Sequence, residues 1–207
     1  MDTKAIRIPV ILATAAFLIA AAPNVHAGLA VKFYGTAQAN KLSPPIAQAI
    51  EELGVDVEGF LCFQLPLFDL ENGIPMGIGV DCLNPFDDSG DEFGEGLQIE
   101  AKTFFFLRRG VIVNHGCTSA RPFFAGVGNA GATHITGSIP RSEFGVEPTP
   151  IPACEEAEGV ILVTREFRES SGDVRLSGAV DLSNAGAGEI TFSCVFVINL
   201  DAFGLWP

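Results

Sequence analysis

Alternation of apolar and polar residues at every second position is the feature that most constrains this chain. The alternating segments are rich in β-branched and aromatic residues and are interrupted by Gly, Pro, Asn and Asp, a pattern typical of strands. It predicts about nine strands. They cover residues 29–37, 57–68, 74–82, 96–107, 110–117, 131–139, 159–167, 173–182 and 188–200.

Short turns between these segments indicate that neighbouring strands run antiparallel. Three short segments each separate two apolar segments and contain residues that hairpin turns prefer: Glu71-Asn72-Gly73, Arg108-Arg109-Gly110 and Ser170-Ser171-Gly172-Asp173. About nine short strands with almost no helix favour an all-β domain. We expect an antiparallel barrel of about eight strands, with a β-sandwich as the alternative.

One segment, residues 43–53, has helical character. Ser43 is a suitable N-cap, Pro44 and Pro45 fit the first turn, and Gly54 ends the segment. Its apolar residues fall on one helical face: Ile46, Ala49, Ile50 and Leu53. The sequence therefore predicts one short helix near the N-terminus, covering one end of the sheet.

Residues 1–27 have the three regions of an export signal. Lys4 and Arg7 precede an uncharged apolar stretch over residues 8–22, and small residues flank His26 before Gly28. The stretch is short for a membrane span, which needs about 20 apolar residues. We expect cleavage after Ala27, no membrane span afterwards, and one secreted domain over 28–207, extracellular or periplasmic. An uncleaved anchor is the alternative.

Acidic residues outnumber basic ones, 25 to 12, which gives the chain a net charge of −13. Such a surface repels nucleic acids and anionic membranes. We therefore expect no nucleic-acid partner. The expected partner is a small apolar ligand or a second copy of the chain.

All five cysteines follow residue 27. In an oxidising compartment they predict two disulfides and one free thiol. No C-x-x-C pair is present, which argues against a structural zinc site. Cys194 alternates with Phe192 and Phe196 and is the predicted free thiol.

Among the possible pairings we favour Cys117 with Cys154 and Cys62 with Cys82. The proline-rich segment before Cys154 has few apolar side chains, so a bridge to the 110–117 strand would hold it on the barrel. The second bridge would cross the hairpin that turns at Asn72-Gly73.

An acidic loop over residues 87–95 is the candidate metal site. Carboxylate oxygens suit calcium, and the candidate ligands are Asp87, Asp88, Asp91 and Glu92. The loop lacks the ligand spacing of an EF-hand, so we favour a solvated loop without metal. We expect no cofactor elsewhere in the chain.

His115 and Cys117 share one strand face, and His134 could join them in a metal or thiol–histidine site. A cysteine in an exported protein is more often part of a disulfide, and two histidines without a third ligand make a poor metal site. No G-x-S-x-G motif is present either. The sequence thus assigns no catalytic residue.

Phenylalanine is abundant, with 17 residues against one Trp and one Tyr. In a strand, Phe104-Phe105-Phe106 would place aromatic rings on both faces. One face would enter the core, and the other would need a cover from the 43–53 helix or from a partner subunit.

Residues 66–139 resemble the allene oxide cyclase and dirigent proteins. The shared features are the turn at Asn72-Gly73, the strand over residues 98–106 that ends in three phenylalanines, the Gly110 hairpin and the glycine-rich segment 126–138. The resemblance implies an eight-stranded, calycin-like barrel with an apolar pocket. Gly128-Asn129-Ala130-Gly131 replaces the family's GG-x-G, and the family's polar pocket residues have no counterpart here, so no catalytic residue is carried over.

Three functions are consistent with these features. We favour a non-enzymatic exported barrel that binds a small apolar ligand or a protein partner. The second is an isomerase or cyclase whose pocket holds a reactive intermediate in one conformation. The third is an adhesive β-sandwich subunit with an exposed edge strand. Polar groups converging inside the barrel would favour the enzyme, whereas a purely apolar interior would favour the binder.

Overall fold

Nine strands and one α-helix make up most of the described part of the chain. The computed structural model describes residues 26–86, 97–122, 132–136 and 159–201. The strands are β1 (His26–Gln38), β2 (Leu61–Asp69), β3 (Pro75–Phe86), β4 (Leu97–Leu107), β5 (Gly110–Pro122), β6 (Ala132–Thr136), β7 (Gly159–Val163), β8 (Ser171–Asp181) and β9 (Glu189–Asp201). The helix α1 spans Pro44–Leu53, and short 3-10 turns lie at Arg165–Phe167 and Ala185–Ala187.

The strands form a nearly closed antiparallel barrel of eight strands, as predicted, and not a sandwich. β1 to β5 pair in sequence order, β5 continues to β6, β6 to β8 and β8 to β9. The first and last strands then pair with each other over the whole length of β1, from His26↔Asp201 to Gln38↔Glu189. β7 pairs with the first half of β5.

Three sequence predictions need correction here. Residues 57–60 do not belong to β2, because a turn at Glu58 and Gly59 precedes the strand and Asp56 Oδ1 accepts a hydrogen bond from the Glu58 amide. Residues 165–167 form a 3-10 turn that starts at positive φ, 52° at Arg165, which ends β7 early. The hairpin turn predicted at Ser170-Ser171-Gly172-Asp173 is wrong, because β8 already begins at Ser171 and β7 pairs with β5.

Aromatic and aliphatic side chains line the inside of the barrel. Ring centroids lie 5.2 Å apart for Phe33 and Phe192, and 5.2 Å for Phe105 and Phe196. Gly79 makes room for the Phe33 ring, because a Cβ there would come within 2.9 Å of it. Aromatic rings of β1, β4 and β9 therefore contact one another inside the barrel.

Helix α1 packs against the outer face of β2 to β5, and not over an end of the sheet as predicted. Its Ile46 and Ile50 form a second buried cluster with side chains of four strands: Cys62, Val80, Cys82, Phe104 and Val113. The expectation of a cover over the triple phenylalanine is confirmed, since Phe105 points into the barrel and Phe104 lies under this helix.

Sequence signals at both ends of α1 match its observed limits. Ser43 is the N-cap, and its amide and hydroxyl both donate to Gln64 Oε1 on β2, at 2.8 and 3.1 Å. Gly54 ends the helix at φ 68°, a conformation that favours glycine. α1 is thus fixed to the sheet at its start and by its apolar face.

Candidate functional site in the barrel interior

Three of the polar side chains that point into the barrel lie side by side on neighbouring strands. Asp81 on β3 pairs directly with Thr103 on β4, and Thr103 pairs with Asn114 on β5. Their relative exposures are only 3%, 2% and 3%. We call Asp81, Thr103 and Asn114 the interior polar row. It is the candidate functional site.

Asp81 is a deeply buried carboxyl group. The Thr103 hydroxyl donates a hydrogen bond of 2.8 Å to Asp81 Oδ1. Burial raises the pKa of Asp81 from 3.8 to about 6, although the Thr103 hydrogen bond lowers it. The described ranges contain no ion pair to Asp81, so at neutral pH the barrel holds a buried negative charge with one hydroxyl donor.

Asn114 carries an unsatisfied acceptor. Its Oδ1 atom is buried and has no hydrogen-bond partner within the described residues. A buried polar atom without a partner costs about 1–3 kcal/mol, so such atoms are rare in folded proteins. Asn114 therefore marks a place in the interior where a hydrogen-bond donor would be stabilising.

Cys194 on β9 lies across the barrel interior. It is a buried free thiol, between Phe192 and Phe196 in the alternation of β9. Burial, and then the negative charge of Asp81, raise the pKa of Cys194 to about 12. The thiol therefore stays protonated at neutral pH and is a poor nucleophile.

Aromatic rings lie next to two members of the interior polar row. Phe63 on β2 pairs directly with Asp81, and its ring centroid lies 5.3 Å from that of Phe192. Phe105 neighbours Thr103 on the same face of β4. Converging polar groups among apolar side chains are a feature of small-molecule sites.

The predicted bridge between Cys62 and Cys82 is present in the structure, on the outer face beneath α1. The two cysteines pair directly across β2 and β3. Cys117 is disulfide-bonded as well. Cys154 lies outside the described residues, so its pairing with Cys117 stays a prediction.

The histidine and acidic-loop candidates do not form a site in the described part. His115 Nε2 lies 2.9 Å from Glu100 Oε1 on the outer face, and Asn84 Nδ2 donates to the other oxygen of Glu100 at 3.3 Å. The side chain of His134 is not described. The calcium candidates Asp87, Asp88, Asp91 and Glu92 lie outside the described ranges. Within those ranges no three metal-binding side chains cluster.

No sequence motif marks the interior polar row as a site. The strand pattern nevertheless contained the signal, since Asp81, Thr103 and Asn114 each share a face with core residues two positions away, such as Leu83, Phe105 and Ile112. Once the inner face of each strand is known, this alternation locates all three.

Comparisons with known protein families and with curated proteins find no match to this chain. In the described residues, no helix has the length and apolar character needed to cross a membrane. The fold and the site define the molecule as an antiparallel β-barrel whose apolar interior contains a buried polar row.

Proposed function

We propose that the protein is an exported, acidic barrel that binds a small, mostly apolar ligand in its interior. The observation that carries this proposal is the unsatisfied Asn114 Oδ1, next to Thr103 and in one row with Asp81, in an interior otherwise lined by aliphatic and aromatic side chains. Buried polar groups without partners are costly, and a ligand can supply the missing partner.

Export is part of the proposal and has two supports. Residues 1–27 have the pattern of a cleavable signal. The Cys62–Cys82 disulfide suits an oxidising compartment, because cytosolic thiols are kept reduced. β1 begins at His26, so cleavage after Ala27 would leave eleven of its thirteen residues, 28–38, to pair with β9.

A second candidate function is an isomerase or cyclase, the activity that the resemblance to allene oxide cyclases and dirigent proteins implies. Convergent polar groups inside the barrel favour this candidate over a purely apolar binder. Asp81 has a pKa of about 6, close to the pH at which a general acid or base is most effective. The adhesive sandwich is no longer a candidate, because the sheet closes on itself.

Mass spectrometry of the protein from its natural compartment tests the proposal. We expect a mature chain that begins at Gly28 and a co-purified lipophilic molecule released on denaturation. The variant Ala101→Leu, which adds volume inside the barrel, should reduce the amount of this molecule. Thr191→Leu adds volume on the exposed outer face of β9 and serves as the control.

Two results would contradict the proposal. A natural protein that carries no small molecule and binds none from an extract of its compartment would refute interior binding. Catalytic turnover of the released molecule by fresh protein would favour the isomerase or cyclase.

A further inference from the structure

The interior polar row contains one buried acceptor without a donor. The Thr103 hydroxyl is committed to Asp81 Oδ1, and Asn114 Oδ1 receives no hydrogen bond from the described residues. A ligand that supplies the missing partner of Asn114 Oδ1 must donate a hydrogen bond.

The position of Asn114 limits the ligand further. Asp81 on β3 and Asn114 on β5 lie two strands apart, with Thr103 on β4 between them. Neighbouring strands lie about 4.8 Å apart, so the two residues are about 10 Å apart. A buried negative charge at that distance still repels anions and favours a group that presents a hydrogen atom. Carboxylates and phosphates are thus poor ligands for this site.

The electrostatic effect of Asp81 extends across the barrel. Its charge contributes to the raised pKa of Cys194 on β9, after the larger effect of burial. The same charge acts on any group that lies between β3 and β9. The rings of Phe33 and Phe63 both pack against Phe192 inside the barrel. The rest of a ligand that binds there must therefore be apolar.

We propose that the ligand is a neutral, apolar molecule with a hydroxyl group, and that this hydroxyl donates to Asn114 Oδ1. This inference rests on the proposed interior binding and adds the chemical class of the ligand. Thr103 holds Asp81 in place, and the charge of Asp81 favours a donor over an acceptor at Asn114, two strands away.

Phenol and toluene are suitable probes, because they have nearly the same size and differ by a hydroxyl against a methyl group. Each would be titrated into the oxidised, mature, ¹⁵N-labelled protein and followed by NMR. We expect phenol to bind about tenfold more tightly than toluene, which corresponds to about 1.4 kcal/mol. The side-chain amide signals of Asn114 should shift with phenol and not with toluene.

Asn114→Leu should abolish the preference for phenol, because it keeps a side chain of similar size without the acceptor. Asn84→Leu is the matched control, since Asn84 lies on the outer face beside Glu100 and its loss should leave the preference intact. If Asn114→Leu does not fold, the Asn114 amide signals of the unmodified protein decide the question.

The possible failures are distinct. Equal binding of phenol and toluene would overturn the hydroxyl proposal and leave interior binding standing. Binding of neither probe would overturn both. A preference for phenol that persists in Asn114→Leu, or that leaves the Asn114 amide signals unmoved, would refute Asn114 as the acceptor.

Discussion

The Thr103 hydroxyl donates a 2.8 Å hydrogen bond to Asp81 Oδ1 across two paired strands, inside the barrel. This bond lowers the pKa of Asp81, but burial has the larger effect and raises it to about 6. The folded protein therefore holds a carboxyl group that changes charge in mildly acidic solution, and its stability must depend on pH in that range.

Asp81→Asn should stabilise the protein at neutral pH. Between the unfolded pKa of 3.8 and the folded value of about 6, the folded state binds more protons at Asp81 than the unfolded state. The free energy of unfolding is therefore highest below the unfolded-state pKa of Asp81. It falls by about 3 kcal/mol as pH rises through the folded-state pKa. Urea unfolding at pH 8 should show a gain approaching this size in Asp81→Asn, and at pH 3.5 almost none.

Asp181→Asn provides a control of opposite sign. The side-chain hydrogen bond from Ser183, and then that from its backbone, lower the pKa of Asp181, which is fully exposed. The ionised Asp181 stabilises the folded state above its unfolded-state pKa, and this stabilisation is lost as pH falls. Asp181→Asn should therefore destabilise the protein at neutral pH and not in acid. An Asp81→Asn variant with the pH profile of the unmodified protein would contradict the burial argument.

The thiol of Cys194 should be unreactive in the folded protein. Burial and the charge of Asp81 raise its pKa to about 12, so the thiolate is scarce at pH 8. We expect a thiol reagent to label no cysteine in native protein at pH 8 and, under non-reducing conditions, Cys194 alone after unfolding in urea. Rapid labelling of native protein would show that β9 opens or that the thiol is accessible.

The Cys62–Cys82 bridge should contribute substantially to stability. It joins residues separated by 20 positions, and constraining a loop of that size in the unfolded state stabilises a protein by about 3 kcal/mol. Replacing both cysteines by alanine should lower the urea midpoint accordingly. An unchanged midpoint would mean that the packing of α1 and the pairing of β2 with β3 stabilise this hairpin without the disulfide.

Helix α1 should be required for stability through Ile50. This side chain is 5% exposed, and Ile50→Ala removes buried contacts with the outer face of the barrel, at a cost of about 2–4 kcal/mol. Glu51→Ala, one position along and exposed, should change the free energy of unfolding by less than about 0.5 kcal/mol. Equal effects of the two substitutions in urea unfolding would contradict the observed packing.

The pairing of Cys117 with Cys154 remains a sequence prediction that peptide mapping can decide. Cys117 is disulfide-bonded. Non-reducing digestion should yield one peptide pair that contains Cys117 and Cys154, and another that contains Cys62 and Cys82. A disulfide peptide that contains Cys194 would refute the assignment.

Strand positions could be predicted from this sequence because each strand repeats a simple pattern. Phe104 and Phe105 illustrate the success, since alternation alone assigned them to opposite faces. Helix α1 was predictable from Ser43 and Gly54, but not its position, because an apolar helical face does not reveal which surface it covers.

The interior polar row was harder to predict because β3 is buried on both faces. Ile78 and Val80 are apolar and face α1, whereas Gly77, Gly79 and Asp81 alternate with them on the inner face. If only one face of β3 is assumed to be buried, the apolar Ile78 and Val80 mark that face, and Asp81 is predicted to face solvent. The local pattern is therefore insufficient, and the side that α1 covers must be known first.

Pairing of β1 with β9 joins segments at opposite ends of the described chain, from His26↔Asp201 to Gln38↔Glu189. The ring cannot close until residues 189–201 have been synthesised, and contacts of such long sequence separation make folding slow. The neighbouring ends of β1 and β9 also make the barrel suitable for circular permutation: a short linker could join them, and new termini could be opened at the β4–β5 turn, Arg108-Arg109, without cutting a strand.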